Sequence, residues 1–169
     1  NKKRLVYLDP NIRGTAKRLF GKDILKADYT FTINPFELSS HATDKEINYL
    51  TQELANAFFE IISQSEVTTQ MEALIESCID TLLRRPNSSI ADLKRFMDDK
   101  DNDDLVEFGI QNPNPERSKM MQRFKNDSRL NSTKSAIYYR LQNILGDMEF
   151  RRLLIGENTV DLESEMSKG

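Results

Sequence analysis

The chain has 169 residues, of which 38% are hydrophobic and 30% are charged, with six glycines, five prolines and one cysteine. This length suits one domain with at most a small appendage, and so few glycines and prolines argue against a turn-rich all-β fold. The single cysteine excludes a disulfide framework within the chain, and no segment has the roughly 18 consecutive apolar residues that span a bilayer. We therefore expect a soluble, cytoplasmic chain.

The charges are distributed unevenly along the sequence. Residues 1–36 contain eight Lys/Arg and three Asp/Glu, and residues 113–152 contain nine and four, so each of these segments has a net charge of +5. Residues 37–112 contain six Lys/Arg and sixteen Asp/Glu, a net charge of -10. An acidic body followed by a basic segment can present two different electrostatic faces to partners.

The start of the chain has the pattern of an α/β fragment. Arg4–Leu8 is a short apolar run that stops at Asp9-Pro10, and Thr15–Phe20 can form a short helix. Tyr29–Ile33 alternates and is stopped by Asn34-Pro35. Because two strands cannot form a stable sheet by themselves, we interpret this piece as part of a sheet domain whose other strands lie outside this sequence.

After Pro35 the apolar residues recur with helical spacing, and the caps and breaks predict six or seven helices. Thr159–Glu163 then alternates weakly and is a candidate strand. The predicted helices run from the capping box at Thr43–Glu46 to about Ser63, from Thr68 or Thr69 to Pro86, from Ser88 or Ser89 through Met97, over Asp103–Ile110, from Pro115 through Phe124, from Ser132 or Thr133 to Gly146, and over Asp147–Leu154.

The sequence therefore predicts a mainly α fold with three parts. Residues 1–36 form a strand-helix-strand fragment of an α/β core, residues 37–156 form a multi-helix all-α domain, and residues 157–169 form a segment that returns toward the core. A helical domain inserted into a sheet domain has this layout.

Two segments superficially resemble ligand-binding loops. Gly14–Asp23 has two glycines and a lysine, but six residues separate the glycines where a phosphate loop has four, and its aspartate would repel phosphate. Asp98–Asp104 is rich in carboxylates, but a calcium loop that starts at Asp99 needs glycine at its sixth position and glutamate at its twelfth, where this chain has aspartate and isoleucine. A helix ended by glycine and a solvated acidic loop are the better interpretations.

The residues that usually carry catalysis are sparse. His41 is the only histidine and stands beside two serines, and Cys78 is far from it in sequence, so no zinc-binding set is present. We interpret His41 as a loop residue and Cys78 as part of the apolar stripe of its helix. The acidic residues spread over several helix faces without forming a catalytic pair. We therefore predict no catalytic, metal-binding or cofactor-binding residue in this chain.

The basic segment gives the clearest indication of a binding surface. Two tyrosines, Tyr138 and Tyr139, stand among its cations, and this composition suits sequence-independent contact with a nucleic-acid backbone or with a partner protein. The alternative is that these cations form a solvated helix face paired with the acidic half of the chain. The predicted binding residues are Arg117, Lys119, Arg123, Lys125, Arg129, Lys134 and Arg140.

The two Pro-ended runs near the start also carry a family resemblance. Asp9-Pro10-Asn11 closes one apolar run and Ile33–Phe36 closes the next, and a long helical region follows. This order resembles the ATPase domain of type IV secretion coupling proteins, the TraD/TraG-like conjugative ATPases related to FtsK and HerA. Three later segments, Ser89–Phe96, Ala136–Leu141 and Thr159–Leu162, also resemble that family's inserted all-α domain and its return to the core.

The resemblance implies that this chain is one segment of a larger motor, called the parent ATPase below. The phosphate loop and the magnesium-binding strand of that family have no counterpart in this sequence, so ATP and Mg²⁺ would bind in other parts of the parent, and this segment would not be an enzyme. The resemblance implies a hexameric, membrane-associated parent at the cytoplasmic face of the inner membrane, and a monomeric fragment.

The partners that the resemblance implies are a relaxase or relaxosome, secreted substrate proteins, and DNA at the channel entrance. Two alternatives remain open from the sequence. One is a helical subdomain of a HerA/FtsK-type DNA translocase without secretion, and the other is a free helical protein-interaction module.

Overall fold

A computed structural model describes residues 32–38, 41–61 and 67–155. Within these ranges the chain is mainly helical, with seven α-helices and no strand, which confirms the predicted number of helices. The first predicted strand, the Thr15–Phe20 helix, residues 29–31 of the second predicted strand and Thr159–Glu163 lie outside the described residues. Thr32 and Ile33, the last two residues of the second predicted strand, are described and are not in a strand. The helices are α1 (Asp44–Ile61), α2 (Thr69–Arg84), α3 (Ile90–Phe96), α4 (Asp103–Ile110), α5 (Pro115–Arg123), α6 (Asn131–Gly146) and α7 (Met148–Leu154).

Side-chain caps begin several of the helices at the positions that the sequence predicts. Thr43 and Glu46 form the capping box of α1, in which the Thr43 N–H donates to Glu46 Oε2 over 2.7 Å. Thr68 caps α2 by accepting from the Met71 N–H, and Ser89 forms a second capping box with Asp92 at α3. Asn114 caps α5, with Pro115 in the first turn. These side chains pair N–H groups that a helix leaves without intrahelical partners.

The start of α6 differs from the prediction. Ser132 or Thr133 was expected to cap this helix, but α6 begins at Asn131 directly after a 3-10 turn over Ser128–Leu130. Asp127 caps that turn by accepting from the Arg129 N–H over 3.1 Å. Thr133 is buried, and its hydroxyl lies 3.2 Å from Gln70 Oε1 at the start of α2. Side-chain capping is therefore found at Asp127, on the 3-10 turn before α6, and Thr133 instead joins α6 to α2.

Helix α2 is the centre of the bundle, because α1, α3, α4 and α5 all pack against it. It is therefore buried on almost every side, and most of the second half of the helix is inaccessible to solvent. Its buried hydroxyls remain paired: Ser77 donates to the Ala73 carbonyl and Thr81 to the Ser77 carbonyl, over 2.7 and 2.8 Å. Cys78 is a core residue, as predicted, and burial raises the pKa of its thiol.

The contact between α4 and its neighbours is unusually close at Gly109. A Cβ atom at this position would lie 2.7 Å from Met121 Cγ on α5 and 3.0 Å from Thr81 Oγ1 on α2. Such distances are shorter than van der Waals contact, so glycine permits the approach of three helices. Met121 is itself buried in the core, which leaves it little freedom to move away.

The two ends of the helical bundle meet. The Ile33 N–H donates to the Leu153 carbonyl of α7 over 2.8 Å, and the Thr32 hydroxyl donates to the Arg152 carbonyl over 3.3 Å. Just after this crossing, the Asn34 side chain donates to the Ser88 carbonyl over 2.7 Å, and Phe36 is buried in the core. The chain thus enters and leaves the bundle at neighbouring points. No helix in the described ranges is both long and apolar enough to cross a membrane.

Candidate functional site

The predicted binding residues lie on α5, on the turn that follows it, and on α6. The structure divides them into a buried and an exposed set. Arg117 and Lys134 are directed into the bundle, and Lys125 is largely covered. Lys119, Arg123 and Arg129 are exposed. Arg140 on α6 is half-buried.

Arg117 belongs to a polar cluster built around Asp80, which we call the Asp80 hub. Asp80 lies on central helix α2, and its side chain is 0% exposed. Its carboxylate accepts from Arg117 Nη1, from Asn112 Nδ2 and, over 3.0 Å, from Arg84 Nε. Such pairing is needed, because a buried carboxylate without partners is strongly destabilising.

The Asp80 hub also holds α1 against the rest of the bundle. Arg84 Nη1 donates to Asp44 Oδ1 over 2.6 Å, and Arg117 Nη1 donates to Asn48 Oδ1 over 2.8 Å. Two arginines therefore join α1, α2 and α5 through one buried carboxylate. Arg117, predicted as a binding residue, has a stabilising contact inside the domain.

Lys134 makes an equivalent contact on the other side of the basic segment. Its side chain is 3% exposed, and its Nζ lies 2.8 and 2.6 Å from the two carboxylate oxygens of Asp99. The same Nζ donates to the Phe124 carbonyl over 3.1 Å and lies 5.1 Å from the centroid of the Phe124 ring. Lys125 pairs with Asp103 nearby. Lys134 thus attaches the acidic loop before α4 to α6, and Lys125 attaches the start of α4 to the turn that follows α5.

The acidic run Asp98–Asp104 is therefore largely paired with cations of the chain itself. Arg95 contacts Asp104 and Asp92, in addition to the lysine pairs just described, and Arg95 Nε donates to the Asp101 carbonyl over 2.8 Å. In the described part of the chain, no group of three or more His, Cys, Asp or Glu residues is arranged to hold a metal ion.

Two of the exposed cations, Arg123 and Arg129, line a groove between the start of α2, the end of α5 and the turn before α6. The groove has a volume of about 250 Å³. Met120 and Leu130 supply apolar lining, while Arg123 and Arg129 supply positive charge. We call it the basic groove, and its lining residues are Gln70, Met120, Arg123, Asp127, Arg129 and Leu130.

Near the basic groove, arginine and lysine side chains lower the pKa of neighbouring carboxyl groups. The Arg129 side chain donates to both carboxylate oxygens of Asp127, over 2.8 and 2.7 Å, and this contact lowers the pKa of Asp127 to about 2. Lys119 pairs with Glu116 over 2.9 Å and lowers the pKa of that carboxyl, to which Arg123 contributes more weakly. Arg123 remains exposed at the rim, where a partner can reach it.

Aromatic residues of α6 form a separate surface. Tyr139 is 65% exposed and meets Tyr138 edge to face, with ring centroids 5.7 Å apart. Lys94 Nζ of α3 lies 4.8 Å from the centroid of the Tyr138 ring. The tyrosines that stand among cations in the sequence are therefore outside the lining of the basic groove, and Tyr138 contacts a lysine from the acidic half of the chain.

Three residues of the Asp80 hub were not among the predicted binding residues: Asp80, Arg84 and Asn112. One sequence signal could have identified Asp80 as buried, because it directly follows Cys78 and Ile79 of the apolar stripe of its helix. Arg84 is four residues from Asp80 on the same helix, but the sequence could not show that Asn112 and Arg117, 32 and 37 residues away, would converge on that carboxylate.

Comparisons with known proteins give no relative for this chain. No protein-family model matches it, and no curated protein or solved structure matches it either. The family resemblance therefore stays a prediction that rests on the residues of the chain itself.

Proposed function

We propose that this chain is the cargo-docking helical domain of a conjugative type IV secretion coupling ATPase. On this proposal it is inserted into the nucleotide-binding core of the parent and contacts a protein cargo through the basic groove. The parent supplies ATP hydrolysis, and the helical domain selects what the motor moves.

The observation that carries the proposal is the meeting of the two ends of the bundle. Residues 32–33 and 152–153 are joined by the Ile33–Leu153 and Thr32–Arg152 hydrogen bonds. A domain inserted into another must begin and end at neighbouring points, because the host continues from one end to the other. The helical region between these ends is also the part of the sequence that resembles the inserted domain of the coupling ATPases.

The charge arrangement favours a protein cargo over DNA. Sequence-independent binding of DNA needs many cations that are free to contact phosphates. Arg117, Lys125 and Lys134 instead contact Asp80, Asp103 and Asp99. Arg123 and Arg129 line a groove that also has apolar lining, which suits an acidic and partly apolar segment of a protein.

Reversing the charge at the basic groove tests the proposal. The double variant Arg123→Glu, Arg129→Glu would be titrated against the purified relaxase encoded with the parent ATPase, by isothermal titration calorimetry. We expect the wild-type chain to bind and the variant to bind at least about tenfold more weakly, because two attractive contacts become repulsive. Labelled single-stranded and double-stranded oligonucleotides form the second arm, measured by fluorescence anisotropy.

A matched control is the double variant Lys45→Glu, Lys100→Glu, which reverses two exposed lysines elsewhere on the bundle. It should bind the relaxase as the wild-type chain does. Equal binding of the relaxase by the groove variant and the wild type would contradict the assignment of the groove. Tight binding of oligonucleotide without relaxase binding would favour the DNA-translocase alternative.

A further inference from the structure

The basic groove contains a carboxylate of its own. Asp127 lies in the lining together with Arg123 and Arg129, and two arginines with one aspartate give the lining a net charge of +1. The Asp127 side chain is 15% exposed, whereas that of Arg129 is 77% exposed. A partner that approaches the groove therefore meets two arginines, one of which already contacts a carboxylate.

The two arginines of the groove differ in what they contact. Arg129 Nε and Nη2 donate to the two carboxylate oxygens of Asp127 over 2.8 and 2.7 Å, which is the fork-like geometry in which arginine binds a carboxylate. The Arg123 guanidinium makes no hydrogen bond or ion pair with any residue that the structure describes. Arg123 therefore has its donors available, while part of the fork of Arg129 is in use.

The backbone holds Asp127 in place beside Arg129. The Asp127 N–H donates to the Arg123 carbonyl over 2.9 Å, and the Leu130 N–H donates to the Asp127 carbonyl over 3.0 Å. The Asp127 carboxylate also accepts from the Arg129 N–H and so caps the 3-10 turn. These contacts are all local to one turn of the chain. The pair of Asp127 with Arg129 is thus preorganised before any partner arrives.

We propose that Asp127 is an internal competitor, which occupies Arg129 and leaves the basic groove one site for a carboxylate of its partner, at Arg123. The ligand is a protein segment with a single carboxylate beside an apolar side chain, and that side chain packs against the half-buried Met120. A second carboxylate gains no contact, because Asp127 repels it. This inference rests on the proposed function for the groove as the docking surface, and it adds the chemistry that the groove selects.

N-acetyl-leucine is a minimal probe of this site, since it combines one carboxylate with one apolar side chain. The full chain, labelled on its arginine side chains and methionine methyl groups, would be titrated with the probe and followed by NMR. We expect saturable shifts of the Arg123 Nε–H signal and the Met120 methyl signal. N-acetyl-leucine amide has no carboxylate, and we expect it to bind at least about fivefold more weakly.

The variant Asp127→Asn tests the competition. Asparagine keeps an oxygen that can accept from the Arg129 N–H, so the cap of the turn is retained while the negative charge is removed. The net charge of the lining rises from +1 to +2. We expect the variant to bind N-acetyl-leucine at least about threefold more tightly than the wild type, and the dicarboxylate N-acetyl-glutamate at least about tenfold more tightly.

A matched control is Glu53→Gln, which changes the net charge of the chain by the same amount at an exposed position of α1 outside the groove lining. It should leave both affinities as in the wild type. Arg123→Gln removes the contact with the carboxylate and should abolish saturable binding of N-acetyl-leucine. Urea unfolding of each variant, followed by circular dichroism, verifies that the chain is folded in the titrations.

The role of Arg123 would be refuted if Arg123→Gln bound N-acetyl-leucine as tightly as the wild type. The competition would be refuted if Asp127→Asn and Glu53→Gln had equal affinities for N-acetyl-glutamate. A wild-type chain that shows no saturable shift at millimolar probe would refute the site itself. Binding of the probe without binding of the relaxase would support the carboxylate site and contradict the proposed cargo, so the two failures are distinguishable.

Discussion

Arg117 and Arg123 lie on the same helix, α5, and yet they have different surroundings. Arg117 is part of the Asp80 hub, with its side chain 12% exposed. Arg123 is exposed at the rim of the basic groove. Lys134 and Arg129 repeat the contrast, one nearly buried against Asp99 and the other 77% exposed against Asp127.

The difference between the buried and the exposed cations follows from their helical register relative to the core. Arg117 stands four residues before Met121, which is buried, so both lie on the inward face of α5. Arg123 follows Met121 by two residues and therefore lies on the opposite face. A basic segment in a sequence is thus a mixture of cations that hold the domain together and cations that are available to a partner.

We expect the largest loss of stability when the carboxylate of the Asp80 hub is removed. Asp80→Ala would leave Arg84 and Arg117 without their shared carboxylate, and we expect it to lower the free energy of unfolding by about 3–5 kcal/mol. Urea denaturation followed by circular dichroism at neutral pH measures this change. The control Asp44→Ala removes the 71% exposed partner of Arg84, and it should lower the stability by less than about 1 kcal/mol. Similar losses in both variants would contradict the structural role of the hub.

A smaller effect is expected at the second buried cation. Lys134→Met keeps most of the side-chain volume but removes the contacts with Asp99 and the Phe124 carbonyl. Asp99 is 43% exposed and can be hydrated, so we expect a loss of only about 2 kcal/mol. Lys119→Met is the control at an exposed site and should change stability by less than about 0.5 kcal/mol. If the two substitutions had equal effects in the same urea titration, the division into buried and exposed cations would be wrong.

The smallest effect concerns the exposed pair of Arg129 and Asp127. Because the Arg129 contact lowers the pKa of Asp127 to about 2 in the folded chain, the pair favours the folded state at pH above the ordinary value of 3.8. That contribution is lost as the pH falls from about 4 to about 2. Arg129→Gln should return the pKa of Asp127 toward 3.8, as measured by NMR titration of its carboxyl carbon. An unchanged pKa in the variant would show that another group holds Asp127 ionised.

Local signals allowed the helices to be predicted well from the sequence. Helix starts are specified by residue pairs two or three positions apart or adjacent, whose types and spacing can be recognised in the sequence. These pairs are Thr43 with Glu46, Ser89 with Asp92, and Asn114 with Pro115. The predicted start of α6 was wrong, because Thr133 has the residue type of a cap but is buried against Gln70. Tertiary packing there overrode a local preference.

The candidate site was only partly predictable. The register of Arg117 with Met121, and of Lys134 with Ile137 and Leu141, could have separated the inward cations from the outward ones. The partners of those cations could not be foreseen, because Asp80 and Asp99 are 37 and 35 residues away in sequence from the cations that they hold. Pairing at such separations depends on how the helices pack.

The close contact at Gly109 fixes the position of α5 and therefore affects residues that Gly109 does not contact. Any added methyl group at this position would press on Met121, which stands on α5 between Arg117 and Arg123. A side chain at position 109 would therefore displace Met121, and with it α5, which carries Arg117 on its inner face and Arg123 on its outer face. The shape of the basic groove thus depends on Gly109, which packs against the inner face of α5 and does not line the groove.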